Sequence, residues 1–230
     1  MVAEETDVFP RVEQYDNQFM RRVLVKRVIS IQAMLLTFSL AFVATFAQAQ
    51  EPKIPEDVVN EVTSSLLTFA KKEGDLLDSD PDAYFTQVRG ILDPAVDFLG
   101  IAKNVMGKRY WLAASDEQRS QFVASFANSL VRTYGKGMAN FADFEVSVES
   151  SKPSESSDKI YYVIQSVKTR EGTNKVVYTM KFIDERWQLR NVVLNGINMG
   201  KSFHSQFDQL VKDNGGDVGR AVAKWGVEQV

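Results

Sequence analysis

From about residue 55 to residue 134 the apolar positions recur every three to four residues, and past Asn140 they alternate. The first pattern predicts amphipathic helices. One runs from about Pro55 to Leu77, with Val58, Val62, Leu66 and Phe69 on one face. Asp80-Pro81 is an N-cap followed by proline at the first helical position, opening a helix that carries Tyr84, Val88, Ile91 and Leu92. Asp93-Pro94 reads as another start, ahead of Val96, Leu99, Val105 and Met106. Ser115-Asp116-Glu117-Gln118 is a capping box, after which Phe122, Phe126, Leu130 and Tyr134 fall at four-residue steps.

The alternating half predicts strands. FEVSVES is the first, followed by a polar loop, SKPSESSD. Lys159 to Thr169 and Asn174 to Asp184 flank the short link REGT as a hairpin, and Arg186 to Leu194 returns after another tight turn. None of these connections is long enough for a crossover helix, so the sheet is an antiparallel meander. The expected fold is α+β: a twisted antiparallel sheet of about four strands, amphipathic helices packed on it, and an apolar cavity between.

Straight after the last strand comes LNGINMGKSFHS, Leu194 to Ser205, which has the outline of a phosphate loop. The spacing is wrong for one. Such a loop needs four residues between its glycines, whereas Gly196 and Gly200 leave three before Lys201 and Ser202. It also belongs after a parallel strand, not at the end of a meander. The two glycines read instead as a bend at the end of the sheet, with Ile197 and Met199 turned inward and Lys201 in water.

The front of the chain changes the picture most. Arg21, Arg22, Lys26 and Arg27 precede the apolar run VISIQAMLLTFSLAFVATFA, which ends in Ala47-Gln48-Ala49. That is the layout of a secretory signal peptide, residues 20–49, with cleavage between Ala49 and Gln50. The other reading is an uncleaved inner-membrane anchor, since about twenty apolar residues span a bilayer. Residues 1–19 carry Glu4, Glu5, Asp7, Glu13 and Asp16 against Arg11 alone, which suits an extension ahead of a true start at Met20. Residues 50–230 are then one domain, exported from the cytoplasm to where a nucleoside triphosphate is not to be expected.

Composition narrows the chemistry. The net charge is −3 with neither sign clustered, which speaks against nucleic acid. Cysteine is absent, so disulfides, thiolate metal sites, thiol nucleophiles and a lipid-modified cysteine are excluded. His204 is the only histidine, on the expected first turn of a helix, and a surface or half-buried role suits it. Asp116-Glu117 favours a helix dipole and Asp184-Glu185 lies in a turn, so neither pair implies acid–base work. More unusual are the strands, which are apolar on both faces. Tyr161 and Val163 point one way, Tyr162 and Ile164 the other; Tyr178, Met180 and Phe182 share a face opposite Val177 and Ile183. Either helices and loops cover the two faces, or one face holds an apolar ligand.

The run DPAVDFLGIAKNVMGKRYWLAASDEQRSQFVASFANSLVRTYG, the strand pair and WQLRNVVLNGINMGKSFHSQFDQL together resemble the MlaC, or toluene-tolerance, family. Ala114, Ser115, Gln118, Phe122 and Phe126 match one signature. Trp187, Val192, Val193, Gly196, Ile197, Asn198 and Met199 match a second, and Phe203, Gln206 and Phe207 a third step. The resemblance runs from about Val58 to Trp225. It departs at Asn191, where the family carries aspartate, and at Asn195, in place of glutamate.

The resemblance implies a periplasmic phospholipid carrier that is not an enzyme and holds phospholipid as its bound ligand, with no cofactor, metal or catalytic residue. Its implied partners are an inner-membrane ABC transporter complex and an outer-membrane lipoprotein–porin complex, and its implied role is to maintain outer-membrane lipid asymmetry. The expected cavity lining is Leu92, Val96, Leu99, Tyr134, Met138, Tyr162, Ile164, Tyr178, Met180, Val193, Ile197 and Met199; each has a plain core reading too, and about half are expected to be ordinary packing. Phe122, Phe126 and Trp187 are expected in the core. Two other classes stay open: an exported enzyme using Asp143 or Asp184 with Tyr162, and an envelope interaction protein with a filled core.

Overall fold

The computed structural model describes residues 53–138, 144–169 and 172–226; the proposed extension and signal peptide lie outside them. Among the described residues, helices α1 (Pro55–Glu73), α2 (Leu76–Ser79), α3 (Pro81–Leu92), α4 (Phe98–Ala113) and α5 (Asp116–Met138) precede the sheet. Strands β1 (Glu145–Ser154), β2 (Ser157–Thr169), β3 (Gly172–Ile183), β4 (Arg186–Leu194) and β5 (Ile197–Asn198) follow, then α6 (Met199–Asp213) and α7 (Val218–Lys224). The strands lie in sequence order, each antiparallel to the next. The fold is α+β, as the change of period predicts.

Local chemistry sets most boundaries. Asp80 accepts from Ala83 N at 3.1 Å to cap α3. The capping box closes both ways, Gln118 N donating to Ser115 Oγ at 3.2 Å and Ser115 N to Gln118 Oε1 at 3.0 Å. Asp184 and Glu185, with φ 46° and 62°, form the tight turn between β3 and β4.

Three boundaries differ from the sequence expectation. The first helix ends at Glu73, beside Gly74, and a separate short turn follows. Asp93-Pro94 does not begin a helix. Residues 95–97 lie against the edge of β4, Leu189 N donating to Ala95 O at 2.8 Å and Asp97 N to Leu189 O at 3.1 Å. The helix starts only at Phe98, where Asp97 takes the capping role from Gly100 N at 2.7 Å. The expected loop after FEVSVES is strand through Ser154, with Lys152 and Pro153 opposite Tyr162 and Tyr161. Proline and serines are tolerated there because β1 is the sheet's outer strand.

The apolar interior falls into two clusters. The larger is helical, with Tyr84, Phe122, Phe126 and Phe207 fully buried and Trp225 against them; the Phe122 and Phe207 rings are 4.7 Å apart. The smaller one, Val59, Val163 and Met180, lies between α1 and the sheet. Leu189 on β4 packs against both. Phe122 and Phe126 are thus core residues, and Trp187 is a half-buried member of the sheet cluster.

Candidate functional site

Register decides which side chains face the helices. Tyr161, Val163 and Gln165 on β2 stand opposite Met180, Tyr178 and Val176 on β3. Tyr178 and Met180 in turn stand opposite Val192 and Leu189 on β4, where Arg190 is the extra residue of a bulge. These side chains form the inner face, because α1 lies on it: Val59 packs with Val163 and Met180, and Ser151 Oγ donates to the Glu56 carboxylate. Tyr161 and Phe182 both meet the Trp187 ring, at centroid distances of 5.2 Å. The remaining residues, Ile160, Tyr162, Ile164, Val177 and Val193, stand on the outer face. All five are half-exposed, and none belongs to either apolar cluster.

One polar chain crosses the inner face. Tyr178 donates its hydroxyl to Gln165 Oε1 at 2.8 Å, and Gln165 Nε2 donates to Thr63 Oγ1 on α1 at 3.3 Å. Gln165 is 1% exposed, the one buried polar residue among the described residues. Burial pushes the Tyr178 phenol up to about 12, since the phenolate would lose its water. A buried glutamine with partners on both sides fixes the height of α1 over the sheet at one point. Sequence reading passed over it; the signal was a single amide in the apolar run KIYYVIQSV.

The expected cavity residues divide among several environments. Tyr178 and Met180 are on the inner face. Tyr162, Ile164 and Val193 are on the outer one, so the set does not share a face. Val96 is buried in the helical cluster and Leu92 packs at its margin. Met199 is half-buried at the start of α6. Leu99, Tyr134 and Ile197 stand at the surface, 58%, 46% and 61% exposed. The side chain of Met138 lies outside the described residues, as does Asp143; Asp184 is exposed in its turn, away from the inner face.

The former phosphate-loop candidate also has a definite shape. Asn195 and Gly196, at φ 49° and 85°, form a tight hairpin turn that pairs β5 with the end of β4. Asn198 caps α6, its side chain accepting from Lys201 N at 3.1 Å, and Asn191 Oδ1 accepts from Gly200 N at 3.0 Å. A Cβ on Gly200 would sit 2.7 Å from that oxygen, so a larger residue would push the Asn191 side chain out of this position. Asn191 performs here what an aspartate would. Asn195 adds a bond of 2.9 Å from Lys175 N, using its positive φ as a glutamate would do only under strain.

Two clefts open elsewhere. One, of about 900 Å³, lies between α1, α3 and α5 and is lined by Lys71, Lys72, Asp75, Asp78, Arg132 and Lys136 among others. The second, of about 540 Å³, is lined by Ile101, Asn104, Lys108, Arg190, Asn191, Lys201 and His204 with neighbouring glycines and Asn198. It faces the break in α4 at Gly107, where His204 Nδ1 meets Val105 O at 2.8 Å. None of the expected cavity residues lines either cleft.

Comparison with known proteins places this geometry. The family described as MlaC protein matches residues 60–225. The toluene tolerance protein ttg2D of Pseudomonas putida is 33% identical over 195 residues, which are 84% of this chain and 88% of that protein. A phospholipid-binding protein from Ralstonia solanacearum, solved in complex with a phospholipid, is 20% identical and superposes with a TM-score of 0.67, over 75% of this chain and 97% of the other. That likeness is one of fold.

Proposed function

The chain belongs to the MlaC family, and from that premise we propose that it is a phospholipid-binding protein of the periplasm, a soluble carrier and not an enzyme. The observation that carries the reading is the seam between α1 and the inner face of the sheet. Val163 and Met180 are buried there, 0% and 1% exposed, while the helices keep a separate core of their own. The start of α1 supplies Val59 to the seam, and its later turns supply Leu66 and Phe69 to the helical core. Parting the first turns of α1 from the sheet therefore admits acyl chains without opening the main core. The solved Ralstonia protein, in complex with a phospholipid on a similar fold, supports a phospholipid as the ligand.

The energetics suit exchange better than capture from water. Burying about thirty methylenes is worth on the order of 24 kcal/mol at ~0.8 kcal/mol per methylene. A lipid passing from a bilayer or a partner's apolar channel into the seam exchanges one apolar surrounding for another, so little net driving force is needed. In this reading the carrier takes and gives lipid at an inner-membrane ABC transporter complex and an outer-membrane lipoprotein–porin complex, and so maintains outer-membrane asymmetry. It needs no cofactor, because no bond is made or broken.

Native mass spectrometry and lipid extraction of the purified protein test the proposal. Co-purified phospholipid, or uptake from vesicles after delipidation, is the expected result. Repeated recovery of folded, lipid-free protein that takes up no lipid would overturn it.

A further inference from the structure

We propose that the outer face of the sheet is a docking surface for an anionic bilayer. Its centre is a row of apolar side chains running across three strands, Ile164, Val177 and Val193, with Tyr162 and Ile160 beside it. All are half-exposed, and no apolar cluster among the described residues includes them. The β4 margin of the face is where Asn191 accepts from Gly200 N, at 3.0 Å.

The rim is basic. Lys152 stands opposite Tyr162, Lys181 opposite Ile160, Lys175 opposite Ser166 and Arg186 opposite Ile183. All four are exposed, and none has an ion pair among the described residues. Lys168 on the same face is held by Glu145 at 3.0 Å, and by strand alternation Asp158 is a second carboxylate there. Five cations thus stand on the strands of this face against the carboxylates of Glu145 and Asp158, with Asp184 and Glu185 exposed in the turn beside Arg186, in a chain whose net charge is −3.

An apolar centre inside a ring of flexible cations matches the profile of a bilayer surface. Lysine and arginine reach phosphates through long stems without a fixed geometry, while tyrosine and aliphatic side chains enter the boundary between headgroups and acyl chains. A second copy of the chain fits less well, because a two-fold contact through this face would set one basic rim against the other. The outer face also stands apart from the seam under α1, so docking and lipid occupancy are separate properties with separate readouts.

Co-flotation of the full chain with vesicles of phosphatidylcholine alone, or of phosphatidylcholine with phosphatidylglycerol, tests the inference. For binding to the anionic vesicles, Lys175→Ala/Lys181→Ala should weaken affinity roughly 25-fold, at about five-fold per basic residue. High salt should abolish the difference from the parent, and binding to neutral vesicles should be the same for both proteins. Every protein compared carries the same N-terminal segment, so the difference reads the sheet face. A Val177→Asp variant should likewise bind anionic vesicles more weakly than the parent. Both variants should keep the parent's melting curve and lipid content, which separates failure of docking from failure of the carrier reading. Unchanged affinity of the double lysine variant for anionic vesicles would overturn the proposal. So would a dimer in solution that Val177→Asp converts to a monomer, since the face would then be taken by a second copy.

Discussion

Val163 and Ile164 are neighbours in the chain, both β-branched and apolar, and their surroundings have little in common. Val163 is 0% exposed beneath α1, in contact with the cluster that includes Val59 and Met180. Ile164 stands on the other side of the same strand, half-exposed, between Ser150 on β1 and Val177 on β3. Residue type therefore does not say which face of this sheet is interior. What separates them is the single helix that lies on one side, and the cost of wetting each position should follow that helix.

Placing a carboxylate at each position gives the largest contrast. Val163→Asp buries an uncompensated charge and should cost about 4 kcal/mol or more. Ile164→Asp should cost about 0.5 kcal/mol, because its carboxylate stays in water. Urea denaturation followed by circular dichroism measures both. Equal losses would mean that the outer face is also covered, which would remove the basis of the docking proposal.

This contrast marks where the sequence stops being informative. The succession of helices and strands is legible because the period of apolar residues changes once, past Asn140, and because Asp80, Ser115 and Gln118 carry unambiguous capping chemistry. Asp93 and Asp97 offer two competing starts for α4, and only the pairing of residues 95–97 with β4 selects the second. Asn195-Gly196 was a readable hairpin signal that points to β5, obscured by its likeness to a phosphate loop. The site was less legible than the fold. Tyr161/Val163 and Tyr162/Ile164 are nearly equivalent pairs, so alternation alone gives two faces and no sign. The bulge at Arg190 also shifts the alternation along β4, which puts Val192 on the inner face and Val193 on the outer one.

Tyr178 sharpens the comparison through pH. Its phenol is raised to about 12 by burial, whereas in the unfolded chain it titrates near the ordinary 10. A group whose folded value is raised contributes stability that is fully present below the unfolded value and is lost as pH rises through the folded one. Between pH 10 and 12 the contribution should fall by about 1.4 kcal/mol per pH unit. Tyr84, Tyr110 and Tyr134 are raised as well, so the parent should weaken steeply in this range. Tyr178→Phe should make that loss shallower, as read from chemical denaturation at pH 9, 10 and 11. An identical slope in the variant would place Tyr178 in water, and with it the inner face.

The smallest effect concerns the polar chain that crosses the inner face. Gln165→Leu removes the acceptor of the Tyr178 hydroxyl and the donor to Thr63, leaving a buried hydroxyl unpaired. The expected loss is about 2 kcal/mol, chiefly the desolvation of that hydroxyl. Adding Tyr178→Phe should then recover about 1 kcal/mol, so the double variant is more stable than Gln165→Leu alone. On the outer face the parallel change, Thr179→Val, removes a half-exposed hydroxyl that water serves equally well, and should be nearly neutral. The sign of the coupling is the decisive quantity. Recovery in the double variant means that Tyr178 has no access to water under α1, as a dry seam requires. Simple additivity would mean that water reaches the hydroxyl, and a seam wet at its centre is poorly suited to acyl chains.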